Sequence, residues 1–248
     1  MIRLLLRDAC EHLQRTELTY LGLPAEEALD LKLLSPFIQN AICVDDRLKV
    51  LEETQRSIAS LPLRVRRFKH GKMWQYLRDK YPSEPLVADI TFLDFYGGGI
   101  VNDDPFAVEI AGLRSYFAKQ ALHSNKAFVL AWTYMPRDKG KQIYIDVCEK
   151  FVQRAELEFL RRSSSLWLRS IVVRYLLRQS LLEHEMSCKI FHHAVYKKTM
   201  NAIIVLFSKG YDKQCRISLG DPDSLLREPV FIYEPKRVIP KIVPFPIS

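Results

Sequence analysis

The residues best placed to do chemistry sit in one stretch, Ala88 to Gly99, which reads A-D-I-T-F-L-D-F-Y-G-G-G. Five of its first eight residues are apolar, and the run closes on Asp94, followed by Phe95, Tyr96 and three consecutive glycines. A carboxylate is costly to bury unless it is paired, so an acidic residue there implies a partner or a substrate. A buried parallel strand that delivers functional side chains at its carboxyl end has this pattern. Ligands of open α/β sheets bind in that crevice. Consecutive glycines let the backbone turn sharply or approach a ligand closely. The plainer alternative is a core strand followed by an ordinary glycine turn.

A second constellation lies upstream. Gly22 opens a turn in Y-L-G-L-P-A-E-E-A, and Asp45 and Asp46 end the run N-A-I-C-V-D-D, 23 and 24 residues later. In nucleoside-binding α/β folds the first strand-to-helix turn approaches the ligand, and a carboxylate about 20 residues on accepts the ribose hydroxyls. A vicinal diol needs a two-oxygen acceptor, which a strand-end carboxylate supplies. The turn has one glycine where the usual G-x-G-x-x-G has three.

Charge is the third signal. The chain of 248 residues carries 37 Lys and Arg against 29 Asp and Glu, a net +8. Residues 141–248 hold 18 of the cations against 11 anions, which suggests a polyanionic partner, nucleic acid first. Within residues 64–80, Arg64, Arg66, Arg67, Lys69, Lys72, Arg78 and Lys80 oppose only Asp79. Phe68, Trp74, Tyr76 and Tyr81 interleave with them. Cations plus stacking faces suit a single strand or a flipped base; the alternative is a solvated edge strand and helix. On a helix, Arg154, Arg161, Arg162 and Arg169 would share one face and could track a phosphate backbone.

Composition narrows the class. At 48% hydrophobic and 27% charged the chain is an ordinary globular protein, long enough for a core without disulfides or metals. Cys10, Cys43, Cys148, Cys188 and Cys215 share no C-x-x-C spacing, so neither a zinc ribbon nor a disulfide framework is expected. The opening M-I-R-L-L-L-R-D is too short and charged for a signal peptide, and no stretch is apolar enough for a membrane span. A cytoplasmic setting is the expectation. His192-His193 and His184-Glu185 lack partners at metal-ligand spacing. Hydrolase and P-loop motifs do not occur.

Patterning supplies the elements that would position these residues. Helices are expected over 1–15, Ala25–Gln39, Arg47–Leu61, Lys72–Tyr81 and Pro105–Ser124. Strands are expected over Leu18–Pro24, Asn40–Asp46, Leu63–Gly71, the Ala88 stretch and Lys126–Met135. Such alternation argues a doubly wound, mostly parallel α/β sheet in one domain over residues 1–248. Residues 141–199 contain neither Pro nor Gly, and read as a helical insertion broken at Ser163-Ser164-Ser165. Asn201–Tyr211 and Gln214–Gly220 read as a terminal antiparallel strand pair, followed by an extended Pro-rich tail over 221–248.

The order of strands, turns and strand-end carboxylates resembles class I S-adenosylmethionine-dependent methyltransferases, over roughly residues 16–220. That resemblance implies a Rossmann-like sheet with a terminal antiparallel pair and S-adenosylmethionine as cofactor. It places Gly22 and the Leu23–Ala25 backbone at the methionine part, Asp45 or Asp46 at the ribose, and Lys69, His70 and Gly71 beside the adenine. The segment D-F-Y-G is similar to the D-P-P-Y box of enzymes that methylate exocyclic amines, with Phe95, Tyr96 and Gly97 at its last three positions. By the resemblance Asp94 and Tyr96 are the catalytic pair, Asp94 accepting from the target amine. Phe95, Arg64, Arg66, Arg67 and Lys69 would hold a nucleic-acid substrate. The first turn departs from the family, with Thr19 and Tyr20 where an acidic residue is usual. The alternative function is therefore an inactive methyltransferase-like fold serving as a nucleic-acid-binding or protein-interaction subunit.

Overall fold

The computed structural model describes residues 2–25, 27–94, 105–123, 126–134, 161, 165–196, 200–209, 230–234 and 237–241. Its first part alternates as expected: α1 (Ile2–Glu11), β1 (Leu18–Gly22), α2 (Leu29–Leu34), β2 (Ile38–Asp45), α3 (Leu48–Ser57), β3 (Val65–His70) and α4 (Met73–Asp79). Then come β4 (Ile90–Asp94), α5 (Pro105–His123), β5 (Phe128–Tyr134), α6 (Ser165–Glu183), β6 (Met186–Tyr196), β7 (Met200–Lys209), β8 (Val230–Glu234) and β9 (Arg237–Lys241).

The strands form one sheet in the order β3-β2-β1-β4-β5-β7-β6-β8-β9. β3, β2, β1, β4 and β5 run parallel, and β7 is antiparallel to both of its neighbours, β5 and β6. The chain moves outward from β1 to β3, returns to β4 and continues the other way. The reversal lies between β1 and β4, where an open sheet has its crevice.

Both faces of the sheet's central strands, β2, β1, β4, β5 and β7, are covered. Residues of α1, α2 and α3, such as Leu6, Leu31 and Leu51, pack on Tyr20, Cys43, Phe92, Ala131 and Ile204. Residues of α4, α5 and α6, such as Leu77, Phe117 and Leu177, pack on Leu21, Val44, Leu93, Trp132 and Val205. Period-two alternation sends successive side chains of each strand to opposite layers. Trp132 meets Trp74 edge-on at 5.3 Å, and Phe128 stacks on Phe207 at 5.1 Å; such pairs add roughly 0.5–1.5 kcal/mol beyond the area they bury. Gly112 lets α5 press on α4, since a Cβ there would stand 2.8 Å from the Trp74 carbonyl oxygen.

Four expectations are corrected. The second helix does not run from Ala25 to Gln39: Ala28 takes a left-handed conformation (φ 47°), and Pro36, lacking an amide N–H, follows directly on the cap residue Ser35. The helical stretch expected over 141–199 stops at Glu183, and M-S-C-K-I-F-H-H-A-V-Y is strand β6. Its β-branched and aromatic residues outweigh the missing Pro and Gly once β7 offers a ladder. The terminal antiparallel pair exists, but its members are β6 and β7; residues 214–220 lie outside the described residues. The Pro-rich tail is not merely extended, because β8 and β9 lengthen the sheet beyond β6. Pro240 sits in β9, the sheet's edge, where a missing N–H is tolerated.

Candidate functional site

The register of the ladders brings the strand-end residues into one row. Gly22 is level with Cys43 on β2 and with Phe92 on β4. Asp45 and Asp94 each stand two residues further toward the carboxyl edge, so they flank the place where β1 has already turned away. Two strand spacings put their backbones roughly 10 Å apart. Asp45 is level with His70 of β3, and Asp94 with Thr133 of β5. Alternation places Tyr20, Gly22, Asp45, His70, Asp94 and Thr133 on the face that carries α1, α2 and α3.

Asp45 is buried and held by its own turn. Its Oδ1 accepts from the Arg47 backbone N–H at 2.9 Å and from Arg47 Nε at 3.1 Å, and its Oδ2 from the other arm of the guanidinium at 3.3 Å. Because the Arg47 side chain is 66% exposed, it can be displaced. Asp46 is exposed, and its carbonyl accepts from His70 Nε2 at 3.0 Å. Gly71 closes the β3 end with φ 141°, a conformation that favours glycine, and its N–H donates to the Asp45 carbonyl at 2.9 Å.

At β4, the Thr133 hydroxyl donates to Asp94 Oδ1. Thr133 is buried and Asp94 partly exposed, so the carboxylate is gripped from the interior side. Phe95, Tyr96 and the glycines after them lie outside the described residues, as do Asp103 and Asp104.

The turn after β1 differs from a simple glycine cradle. The Tyr20 phenol crosses the side of Gly22 where a Cβ would stand, its oxygen 2.1 Å from that position, and donates a hydrogen bond to Asp30 of α2. Burial raises the Tyr20 pKa well above its ordinary value, with Asp30, Cys43 and Asp94 adding to the effect. Burial likewise raises the Asp30 carboxyl above its usual value, opposed by the Tyr20 hydrogen bond, by the backbone N–H groups of Asp30 and Leu31 and, least, by Arg3. Asp30 Oδ1 is buried without a hydrogen-bond partner among the described residues. A carboxyl with a raised folded-state pKa favours folding below its unfolded value, and that stability is lost as pH rises through the folded value. Asp30→Asn keeps an acceptor for Tyr20 and removes the buried charge. Its melting temperature at pH 7 to 8 is expected to exceed that of the native chain, with the gain vanishing as pH falls to about 4. Thermal melts across that range check it, and an equal or lower melting temperature at pH 8 refutes it.

The basic strand is largely partnered within the molecule. Arg67 and Lys69 both pair with the buried Glu84 carboxylate, which also accepts from the Tyr76 hydroxyl at 3.2 Å. Arg64 lies 3.6 Å from Glu17 with both side chains exposed, a pair of little worth that a phosphate could replace. Arg66 donates to the Leu61 carbonyl at 2.6 Å. The expected stacking platform is overturned: Trp74, Tyr76 and Tyr81 are buried in the core, and Phe68 packs on the opposite layer. Tyr81 also lies under the buried Lys119, whose ammonium stands 4.5 Å from the ring. Of the arginine stripe only Arg161, which is exposed, has a described side chain.

His192-His193 falls on β6 rather than on a helix. His193 is buried and accepts at Nδ1 from Arg174 Nε at 2.8 Å, while His192 lies 3.5 Å from Asp8. Among the described residues, no group of three or more metal-ligating side chains comes together, and no helix is long and apolar enough to cross a membrane. Sequence reasoning missed Asp30 and Thr133. Each carries the signal that marked Asp94, a polar residue inside an apolar run (A-L-D-L-K-L-L and V-L-A-W-T-Y).

No family model matches the sequence, and no curated protein matches it. Solved structures do resemble the fold. An O-methyltransferase from Bacillus cereus in complex with SAH is 13% identical, covering 84% of this chain and 80% of its own, with a TM-score of 0.46. Magnesium protoporphyrin IX methyltransferase from Synechocystis with bound SAH is 10% identical, covering 82% of each chain, with a TM-score of 0.45. Precorrin-6y C5,15-methyltransferase from Geobacter metallireducens is 10% identical, covering 82% of this chain and 88% of its own, with a TM-score of 0.42.

Proposed function

We propose that this protein transfers the methyl group of S-adenosylmethionine to an amine of a nucleic-acid base. The observation that carries the reading is the row of polar groups at the carboxyl edge, His70, Asp45, Asp94 and Thr133, flanking the point where the strand order reverses. Crevices of this kind are where open α/β sheets bind ligands.

The residues present fit the cofactor in part. Asp45 is a carboxylate of fixed orientation at a strand end, and a carboxylate has about four lone-pair sites. Arg47 uses three of them, so the ribose diol finds one free and gains two more by displacing the exposed guanidinium. Asp46, His70 and Gly71 border the same edge and would lie beside the adenine. The methionine part would rest on the Leu23–Ala25 backbone, because Tyr20 closes the other side of Gly22. When bound, the cofactor supplies an electrophilic methyl group. Asp94 would accept a hydrogen bond from the acceptor amine and hold its nitrogen in line; positioning of that kind supplies most of such a rate.

Nucleic acid as the acceptor's class is supported by the net charge of +8 and by the exposed Arg64 and Arg66 at the β3 edge. Arg67 and Lys69 are better read as partners of Glu84 that leave some of their charge at the surface.

Calorimetric titration with S-adenosylmethionine tests the cofactor reading. Binding is expected, and Asp45→Asn should weaken it about tenfold or more, the loss of a charged hydrogen bond. Heat at the level of the buffer blank with millimolar ligand would instead favour a fold that has lost its cofactor, a reading to which the Tyr20 phenol over Gly22 lends support.

A further inference from the structure

Methyl transfer to an amine requires the acceptor nitrogen to be held, and on the proposed reading Asp94 holds it. We infer that Thr133 is a positioning residue for that step: its hydroxyl holds one oxygen of Asp94 so that the other faces the amine. The two residues are directly level in the parallel β4–β5 ladder, and the Thr133 Oγ1–H donates to Asp94 Oδ1. The donor is buried, at 1% exposure, whereas Asp94 is partly open. The bond therefore runs from a buried donor to one oxygen of a partly exposed carboxylate, and leaves Oδ2 outside it.

Rotation about the last torsion of an aspartate is soft, with a broad, roughly twofold profile. A strand-end carboxylate with no second anchor would sample many orientations. Threonine is stiff at χ1 because it is branched at Cβ, so a buried threonine hydroxyl is a fixed donor. Its surroundings reinforce this. Across the ladder from Thr133 stands Ala202 of β7, too small to compete for the hydroxyl. On the same face the Tyr20 phenol is electrostatically coupled to Asp94, and its hydroxyl is already given to Asp30. Thr133 is thus the described side chain that holds the orientation of Asp94.

This role rests on the proposed transfer reaction, and the test separates the two. The full chain and its Thr133→Val, Thr133→Ala and Thr133→Ser variants are assayed for tritiated-methyl transfer to pooled RNA and DNA, beside S-adenosylmethionine titrations and thermal melts. Thr133→Val and Thr133→Ala are expected to lose about 10²-fold in kcat, because the reacting amine is no longer held in line. KM for S-adenosylmethionine should stay within about twofold, since a transition-state contact and not ground-state binding has been removed. Thr133→Ser, which keeps the hydroxyl, should recover most of the rate. A merely structural threonine predicts rates that follow the melting temperature, and wild-type kcat in either apolar variant, or no recovery in Thr133→Ser, overturns the proposal. Absence of transfer by the native chain overturns the methyltransferase reading and the role of Thr133 with it; an active native chain with equally active variants overturns the role of Thr133 alone.

Discussion

Asp94→Asn is expected to lower methyl transfer by about 10²-fold or more while leaving the fold and cofactor binding nearly unchanged. Asparagine has the shape of aspartate, and its amide can still bond to the Thr133 hydroxyl that now donates to Asp94 Oδ1. The surrounding backbone belongs to β4, paired between β1 and β5 and buried on both faces, so nothing forces it to move. What changes is the group presented to the substrate. An acceptor oxygen becomes, in one orientation, an NH₂ donor that faces the donor hydrogens of the amine. In the other orientation the remaining carbonyl is neutral, and hydrogen bonds to neutral acceptors are about half as strong as charged ones. The measurement is a tritiated-methyl transfer assay on pooled RNA and DNA, with calorimetric titration of S-adenosylmethionine on the same preparation. Undiminished transfer by Asp94→Asn would remove this residue from the chemistry. A fall in transfer that merely tracks a fall in melting temperature would make Asp94 a structural partner of Thr133.

The largest effect on stability is expected from Gly22→Ala, at about 3 kcal/mol or more. The added methyl would stand 2.1 Å from the Tyr20 phenol oxygen and 2.4 Å from the ring carbon that bears it. Tyr20 has no room to retreat, because it is fully buried between β1 and α2 and its hydroxyl is bonded to Asp30. Accommodation requires the ring to move, which breaks that bond and leaves a second buried oxygen of Asp30 without a donor. Overpacking alone costs roughly 1–3 kcal/mol, and an unsatisfied buried acceptor costs about as much again. Urea unfolding of Gly22→Ala beside the double variant Gly22→Ala/Tyr20→Leu separates this from a backbone effect. If the clash is the cause, the double variant is the more stable of the two, since leucine removes the ring and coupled neighbours are not additive. A double variant less stable than Gly22→Ala alone would count against the clash and point to the backbone freedom of glycine in the turn.

The two glycine-linked observations change how the first turn is understood. A lone glycine after β1 suggests a site of close ligand approach. In the structure one side of that glycine is filled by the protein itself, through a tyrosine two residues earlier on the same face of the same strand. Any ligand at this turn has to lie against the Leu23–Ala25 backbone. The Tyr20–Asp30 contact also ties α2, only six residues long, to the strand it covers. A helix of that length has little stability of its own, and packing must supply the rest.

The alternation of strands and helices was legible in the sequence, because a strand buried on both faces is a continuous apolar run and the helices between such strands have their own period. Asp45 and Asp94 could be singled out for the same reason: each is a charge at the end of an apolar run. Local pattern also sufficed to place β3 at an edge, since V-R-R-F-K-H is more polar than the other strands. Strand β6 was not legible. M-S-C-K-I-F-H-H-A-V-Y is compatible with a helix, and only the ladder with β7 made the extended form the better one. The basic segment misled because charge and aromaticity along a chain do not say which face is buried. Tertiary packing turned Trp74, Tyr76 and Tyr81 into core and gave Arg67 and Lys69 to Glu84, a residue 17 and 15 positions away that no local pattern links to them. Register decided the rest. That Thr133 stands beside Asp94, and that Tyr20 reaches Asp30 across Gly22, are consequences of which strands are neighbours and of how side chains alternate across them. A sequence specifies such neighbours only through the whole fold, because the hydrogen bonds that set the register join residues far apart along the chain.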